Sequence, residues 1–283
     1  MTEDGRRIEV IMNIQASESR LNIIDTFKLY KYKKEYNKQH PYEFKNTGIT
    51  IFASLPDQRQ GSGKTLSGVD YVHNLLNIYP FCILVSNIKF HDYPFNAYYE
   101  VVDGVTFIRD IVTNEIITID DIISGKFKKV CIKFDGLDCL KAVKNGEFGV
   151  IFFIDEIQLY MNSLDSKNIP MEVMTEISQQ RKQRVAIIGT SQLFLRVAKQ
   201  LREQVSDLVI CKNYFKCFQF NLVCNPANIS EKDGRTVAQV DRRYFFFHSP
   251  EMYNRYDTYV KIESLVSEWN GVSRDSVSFI SVL

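Results

Sequence analysis

Apolar residues along this chain gather in short unbroken blocks, separated by stretches with a helical repeat. Residues 49–55 (ITIFASL) form one apolar, β-branched block. Beyond a polar loop, Leu66, Val69, Val72 and Leu76 recur at spacings of three and four, so strand gives way to helix at Lys64. Pro80 closes that helix, and FCILVSN reads as a second buried strand. Residues 150–154 (VIFFI) are the most apolar strand, residues 171–183 have helical composition, 185–189 (VAIIG) form another buried strand, and 193–205 read as a further helix. Strands apolar on both faces and alternating with helices predict an α/β domain, with a mainly parallel central sheet covered on both sides. Residues 90–129 read as a β-rich excursion with short strands near 97–102, 105–109 and 115–119. After Asp207 the adjacent runs DLVICKN and KCFQFNLVC predict antiparallel strands. RRYFFFH predicts one more, its 244–247 run having the length of a buried strand. The chain thus divides into a polar, aromatic arm (1–47), an α/β domain (48–225) and a β-rich C-terminal extension (226–283).

Composition narrows the class without naming a function. An apolar fraction of 45% in 283 residues, with 7 Pro and 13 Gly, excludes a disordered or collagen-like chain. No window approaches the roughly 18 apolar residues of a membrane helix. The N-terminus lacks the apolar core of a secretory signal, so a cytoplasmic location is expected. The cysteines form no C-x-x-C pair and lie far from the four histidines, which predicts reduced, mostly buried thiols rather than a zinc site. The net charge of +1 hides an asymmetry: residues 179–216 hold eight Lys and Arg against Glu203 and Asp207, a net +6, so the remainder carries −5. A basic segment of this kind suits an anionic partner. In the arm, tyrosines interleaved with lysines (LYKYKKEYNKQHPYEF) fit a clamp on the main domain, a subunit contact, a nucleic-acid contact or a solvated amphipathic helix.

The chemistry sits in Gly61, Ser62, Gly63, Lys64 and Thr65, between the first strand and the first helix. Small residues let consecutive backbone N–H groups converge on phosphate oxygens, and the helix N-terminus adds partial positive charge at the same point. Lys64 is placed to reach the β- and γ-phosphates of ATP, and the Thr65 hydroxyl to coordinate Mg²⁺. The full motif asks for glycine five residues before Gly63, where this chain has Gln58, followed by Arg59. The strand VIFFI then delivers Asp155 as a Mg²⁺ ligand and Glu156 as the group that orients and deprotonates an attacking water. A water-activating acid favours hydrolysis over phosphoryl transfer to a bound acceptor. In RVAIIGTSQ, Thr190 and Gln192 stand where a neighbouring strand would face the γ-phosphate and sense its loss. Arg181 and Arg184 before that strand, and Arg196 and Arg202 after it, are candidates for an arginine supplied across a subunit interface.

With these motifs in view, GITIFASLPDQRQGSGKTLSGV, the strand running into VSNI, FFIDEIQLY, QQRKQRVAIIGTSQLFLRVAKQLREQVSDLVI and FHSPEMYNRYDTYVKIE resemble the zonular occludens toxin-like ATPases over roughly residues 48–262. That group is related to the FtsK–HerA class of DNA-pumping ATPases and includes phage assembly and genome-packaging proteins. The resemblance implies a P-loop NTPase fold and a ring-forming, Mg²⁺-dependent ATPase that moves double-stranded DNA into a viral capsid. Lys64, Thr65, Asp155, Glu156 and Gln192 then occupy the motif positions. The packaging motors of tailed phages point further to Arg181 or Arg184 as the arginine reaching a neighbouring subunit. The implied partners are double-stranded DNA, further copies in a ring, and a capsid portal or other phage assembly protein. The implied location is the host cytoplasm, with transient residence on a capsid. Gln58 departs from the family pattern. So does the lack of the membrane-spanning segment that filamentous-phage members carry, which favours a soluble packaging motor over a membrane-bound extrusion factor. The alternatives are an assembly ATPase that borrows its anchor from a partner, a nucleotide-regulated scaffold with negligible hydrolysis, and a small-molecule kinase. Beyond residue 226 no acidic cluster with nuclease spacing appears.

Overall fold

The structure, a computed structural model, describes residues 23–54, 61–164, 169–228, 230–232, 235–237 and 239–257. The chain divides into two units, Met1–Pro41 and Tyr42–Leu283. The first contributes helix α1 (Ile23–Gln39), which presents Tyr30, Tyr32 and its lysines to solvent. Tyr36 stacks on His40 with ring centroids 4.4 Å apart.

The second unit is organised by one mixed sheet. Its strands are β1 (Gly48–Ser54), β2 (Ile83–Ser86), β3 (Ala97–Val102), β4 (Val105–Asp110), β5 (Cys131–Lys133), β6 (Val150–Ile154), β7 (Val185–Leu193), β8 (Asp207–Tyr214) and β9 (Phe218–Cys224). A separate hairpin of β10 (Ser230–Lys232) and β11 (Arg235–Val237) precedes β12 (Val240–Phe247). The ten sheet strands lie in the order β12-β9-β8-β1-β7-β6-β2-β5-β3-β4. From β8 to β3 every neighbouring pair is parallel; β9 and β4 run against their neighbours. The helices are α2 (Lys64–Ile78), α3 (Ile119–Ile123), α4 (Cys139–Ala142), α5 (Met171–Ser178), α6 (Lys199–Arg202) and α7 (Pro250–Tyr253). The expected α/β class, mainly parallel with C-terminal antiparallel strands, is the observed one.

The buried strands divide their side chains between two cores. Val150, Phe152 and Ile154 of β6 join one, while Ile151 and Phe153 join the other with Val69, Val72, Leu75 and Leu76 of α2. A period of two therefore serves both faces, and each fully buried large side chain contributes about 1.5–3 kcal/mol. Gly68 lets α2 approach closely, since a Cβ there would lie 2.8 Å from Phe153 Cε2. Five of the six cysteines are buried, and burial pushes the Cys131 and Cys211 thiols up to about 12.

Several local expectations change. The strand expected near 115–119 gives way to α3, because Thr118 accepts from Asp121 N and the Asp121 carboxylate accepts from Thr118 N, a capping box that starts a helix. The helix expected over 193–205 is broken into short pieces. β7 stays paired to β1 as far as Leu193, and only a 3₁₀ turn (Phe194–Arg196) and α6 follow. The YFFF run is not buried. Among the described residues β12 is the sheet's edge, bonded to β9, and leaves Phe245 62% and Phe247 68% exposed. No helix among the described residues is long and apolar enough to cross a membrane.

Candidate active site

Parallel pairing of β1, β7 and β6 brings their C-terminal ends to one edge of the sheet, and the polar residues that follow them meet there. Gly61 (φ 91°) and Gly63 (φ 79°) take left-handed backbone, which bends the loop into the start of α2 with Gly63 as its N-cap. Ser67 N bonds to Gly63 O at 2.9 Å as the helix begins. Lys64 Nζ lies 3.5 Å from Ser62 Oγ. The loop's entry, with Gln58 and Arg59, lies outside the described residues.

β7 is inserted between the loop strand and the acid strand, and it supplies the link between them. Asp155 Oδ1 accepts two hydroxyls, Thr65 Oγ1 at 2.8 Å and Thr190 Oγ1 at 2.6 Å. Thr190 Oγ1 in turn accepts Glu156 N at 2.9 Å. A buried carboxylate, 7% exposed, beside a threonine hydroxyl is the hard-oxygen donor set that Mg²⁺ takes, so these residues fit the ion. Glu156 itself adopts φ 55° and ψ 52°. Left-handed backbone costs a non-glycine residue about 1–2 kcal/mol, and its amide bond to Thr190 is one contact that holds it there. The Glu156 carboxylate accepts Gln158 Nε2, which fixes its direction.

Gln192 ends the β7 contribution differently. The β1–β7 register slips so that Ala53 faces Ser191 and Ser54 faces Leu193, leaving Gln192 as the extra, exposed residue of a bulge. Bulges re-aim side chains at the rims of sites. Its Oε1 accepts Arg196 Nη1 at 3.4 Å, and its carbonyl accepts Ser54 Oγ at 3.2 Å.

Arg181 and Arg184 stand at the opposite edge. Arg184 directly precedes β7 and its carbonyl pairs with Val150 N, the first residue of β6. Gln192 lies eight steps further along the chain, about 26 Å at ~3.3 Å per residue. Its guanidinium pairs with the buried Glu43 carboxylate and points at Phe44 O, while Arg181 is exposed on the turn after α5. The structure thus gathers residues 61–65, Asp155, Glu156, Thr190 and Gln192 and holds both arginines away from them.

Three residues here escape motif reading. Asn87 clamps Asp155 from β2's end, its Nδ2 donating to Asp155 O and its Oδ1 accepting Asp155 N, both at 2.8 Å. The polar Ser86-Asn87 step after an apolar strand was the available signal. Gln158 carries no such signal, since its role depends on the 3₁₀ turn (Ile157–Leu159) that folds it back on Glu156. Gln219 comes to the loop from β9, far along the sequence.

No protein-family model and no curated protein sequence matches the chain. Among solved structures it is similar to the N-terminal domain of zonular occludens toxin from Neisseria meningitidis, with TM-score 0.45 and 15% identity, over 74% of this chain and 98% of that one. It is also similar to the genome packaging NTPase B204 from Sulfolobus turreted icosahedral virus 2 in complex with AMPPCP, with TM-score 0.39 and 13% identity, over 59% of this chain and 76% of that one.

Proposed function

We propose that the chain is a Mg²⁺-dependent ATPase that translocates double-stranded DNA, working as a ring of identical subunits in viral genome packaging. The observation that carries the hydrolytic part is the convergence of Thr65 and Thr190 on Asp155, with Glu156 one residue beyond. Backbone N–H groups of residues 61–65 and the Lys64 ammonium bind and orient the phosphates. Thr65 and Asp155 would hold Mg²⁺, which when bound neutralises charge on the phosphate oxygens. Glu156 orients a water and takes its proton. Thr190 transmits the position of the acids along β7, and Gln192 reads the outer edge of the site. Arg181, exposed on its turn, is the arginine we assign to the neighbouring subunit's site.

The DNA part is supported by the sequence resemblance and by where the positive charge stands. Lys212 and Phe245 face Phe220 across the β8–β9–β12 ladder, and Arg243 faces the next residue of the same row, Leu222. Basic and aromatic side chains thus share one face of the antiparallel edge, a surface suited to a polyanion. Double-stranded DNA should raise the ATP turnover of the assembled chain several-fold, with stimulation falling as salt rises. An assembled ring whose turnover ignores DNA contradicts the motor reading and leaves a DNA-independent ATPase.

A further inference from the structure

The phosphate loop is not self-supporting. Its outer side is met by the antiparallel strands, and the contacts there are polar and buried. Gln219 and Asn221, both 0% exposed, project from β9 toward the loop and α2. Gln219 Nε2 donates to Ser62 O at 3.0 Å and to Asn221 Oδ1 at 2.9 Å. Asn221 Nδ2 donates to Ser67 Oγ at 3.1 Å, in the first turn of α2. Asn213, one strand away, donates to Gly61 O at 3.2 Å. The carbonyls of Gly61 and Ser62 are therefore drawn outward, the turn that leaves neighbouring N–H groups available to an anion.

The Gln219 carboxamide can face only one way. Both hydrogens of Nε2 have acceptors, so Oε1 lies against Gly63, where a Cβ would stand 2.0 Å from it. His248 Nε2 lies 3.3 Å from that same oxygen and Nδ1 faces the Tyr253 hydroxyl; with the proton on Nε2 the ring donates to Gln219 Oε1 and accepts from Tyr253. Burial lowers the His248 pKa, against a smaller opposing pull from the Lys216 backbone. The segment bearing His248 is itself tied to α2, through Arg255 Nη1 and Asp70 Oδ1 at 2.7 Å.

We propose that Gln219, oriented by Asn221 and His248, is a positioning residue of the phosphate loop, so that the loop's nucleotide-ready shape depends on the C-terminal strand β12 and the turn after it. A buried amide pair with a histidine behind it is an expensive way to fill an apolar niche, because each buried polar group must be satisfied. Here the Gln219 and Asn221 carboxamides are met by the loop, by α2 and by one another. The proposal rests on the phosphate-site reading above.

The test uses the full chain, with equilibrium binding of a fluorescent ATP analogue, steady-state phosphate release and thermal melting. Gln219→Met keeps the volume and removes the donor and acceptor. It should raise Kd and KM about tenfold while leaving kcat within about twofold, because a braced loop grips ground and transition states alike. Lys64→Ala is the control, expected to lose nucleotide binding. If Gln219→Met binds and turns over like the parent while Lys64→Ala does not bind, the positioning role is overturned and the phosphate site stands. If Lys64→Ala binds like the parent, the phosphate-site reading itself falls. A drop in kcat at unchanged KM also overturns the brace, since it places Gln219 in the chemical step. Should Gln219→Met fail to fold, His248→Ala decides: at an unchanged melting midpoint it should weaken binding about threefold, and unaltered affinity overturns the proposal.

Discussion

At the C-terminal ends of β1, β6 and β7 the chain concentrates Thr65, Asp155, Glu156, Thr190 and Gln192, with glycines and a glutamate in left-handed backbone. At the N-terminal ends of β6 and β7 it places Arg184 against the buried Glu43, close to Phe44 of the core. Both edges carry charge, strain and hydrogen bonds, yet the two are built to different ends. The first draws the Thr65 and Thr190 hydroxyls onto the Asp155 carboxylate, a hard-oxygen set that fits Mg²⁺. The second closes on itself, Arg184 and Lys45 both pairing with the buried Glu43 carboxylate. The difference teaches that one sheet can hold a buried carboxylate among hydroxyls at one edge and another among cations at the opposite edge.

Substitutions should separate the edges, the largest effect coming first. Asp155→Asn keeps acceptors for Thr65 and Thr190 but removes the charge, so ATP turnover should fall at least about a thousandfold and nucleotide affinity should stop responding to Mg²⁺, with little change in melting. Turnover within tenfold of the parent breaks the comparison at the chemical edge. Arg184→Ala leaves the Glu43 carboxylate, 4% exposed, without its closest cation. Chemical denaturation should show a loss of about 1–3 kcal/mol, while turnover per folded molecule is kept. Lost turnover in a chain of undiminished stability would instead give Arg184 a role across subunits. Smallest of all, Phe247→Ser on the exposed edge strand should move stability by no more than about 0.5 kcal/mol. A cost of several kcal/mol there would mean that β12 is covered after all.

The comparison also shows what the sequence could disclose. VIFFI of β6 and YFFF of β12 look alike as strings, and both predict buried strands. Only pairing order distinguishes them, because among the described residues β6 has strand partners on both sides and β12 on one. The meeting of the 61–65 loop with Asp155 was legible because each motif is local, a few residues at fixed spacing after an apolar strand. Asn87, Gln158 and Gln219 were not, because each acts on a residue brought to it by the fold. Glu156 was legible as an acid but not as a strained one, since the left-handed turn after β6 leaves no mark in DEIQ. Likewise the β7 strand outran its expected end at Gly189 because the ladder to β1, a tertiary contact, extends it to Leu193.

The central claim is that Glu156 activates water at a nucleotide held by the loop. Glu156→Gln tests it most directly, because the amide keeps the side chain's shape and an acceptor oxygen for Gln158 while removing the base. Equilibrium binding of a fluorescent ATP analogue should match the parent within about twofold, and phosphate release should fall by about 10²–10⁴. Parental phosphate release from a chain that binds the nucleotide normally would contradict the account.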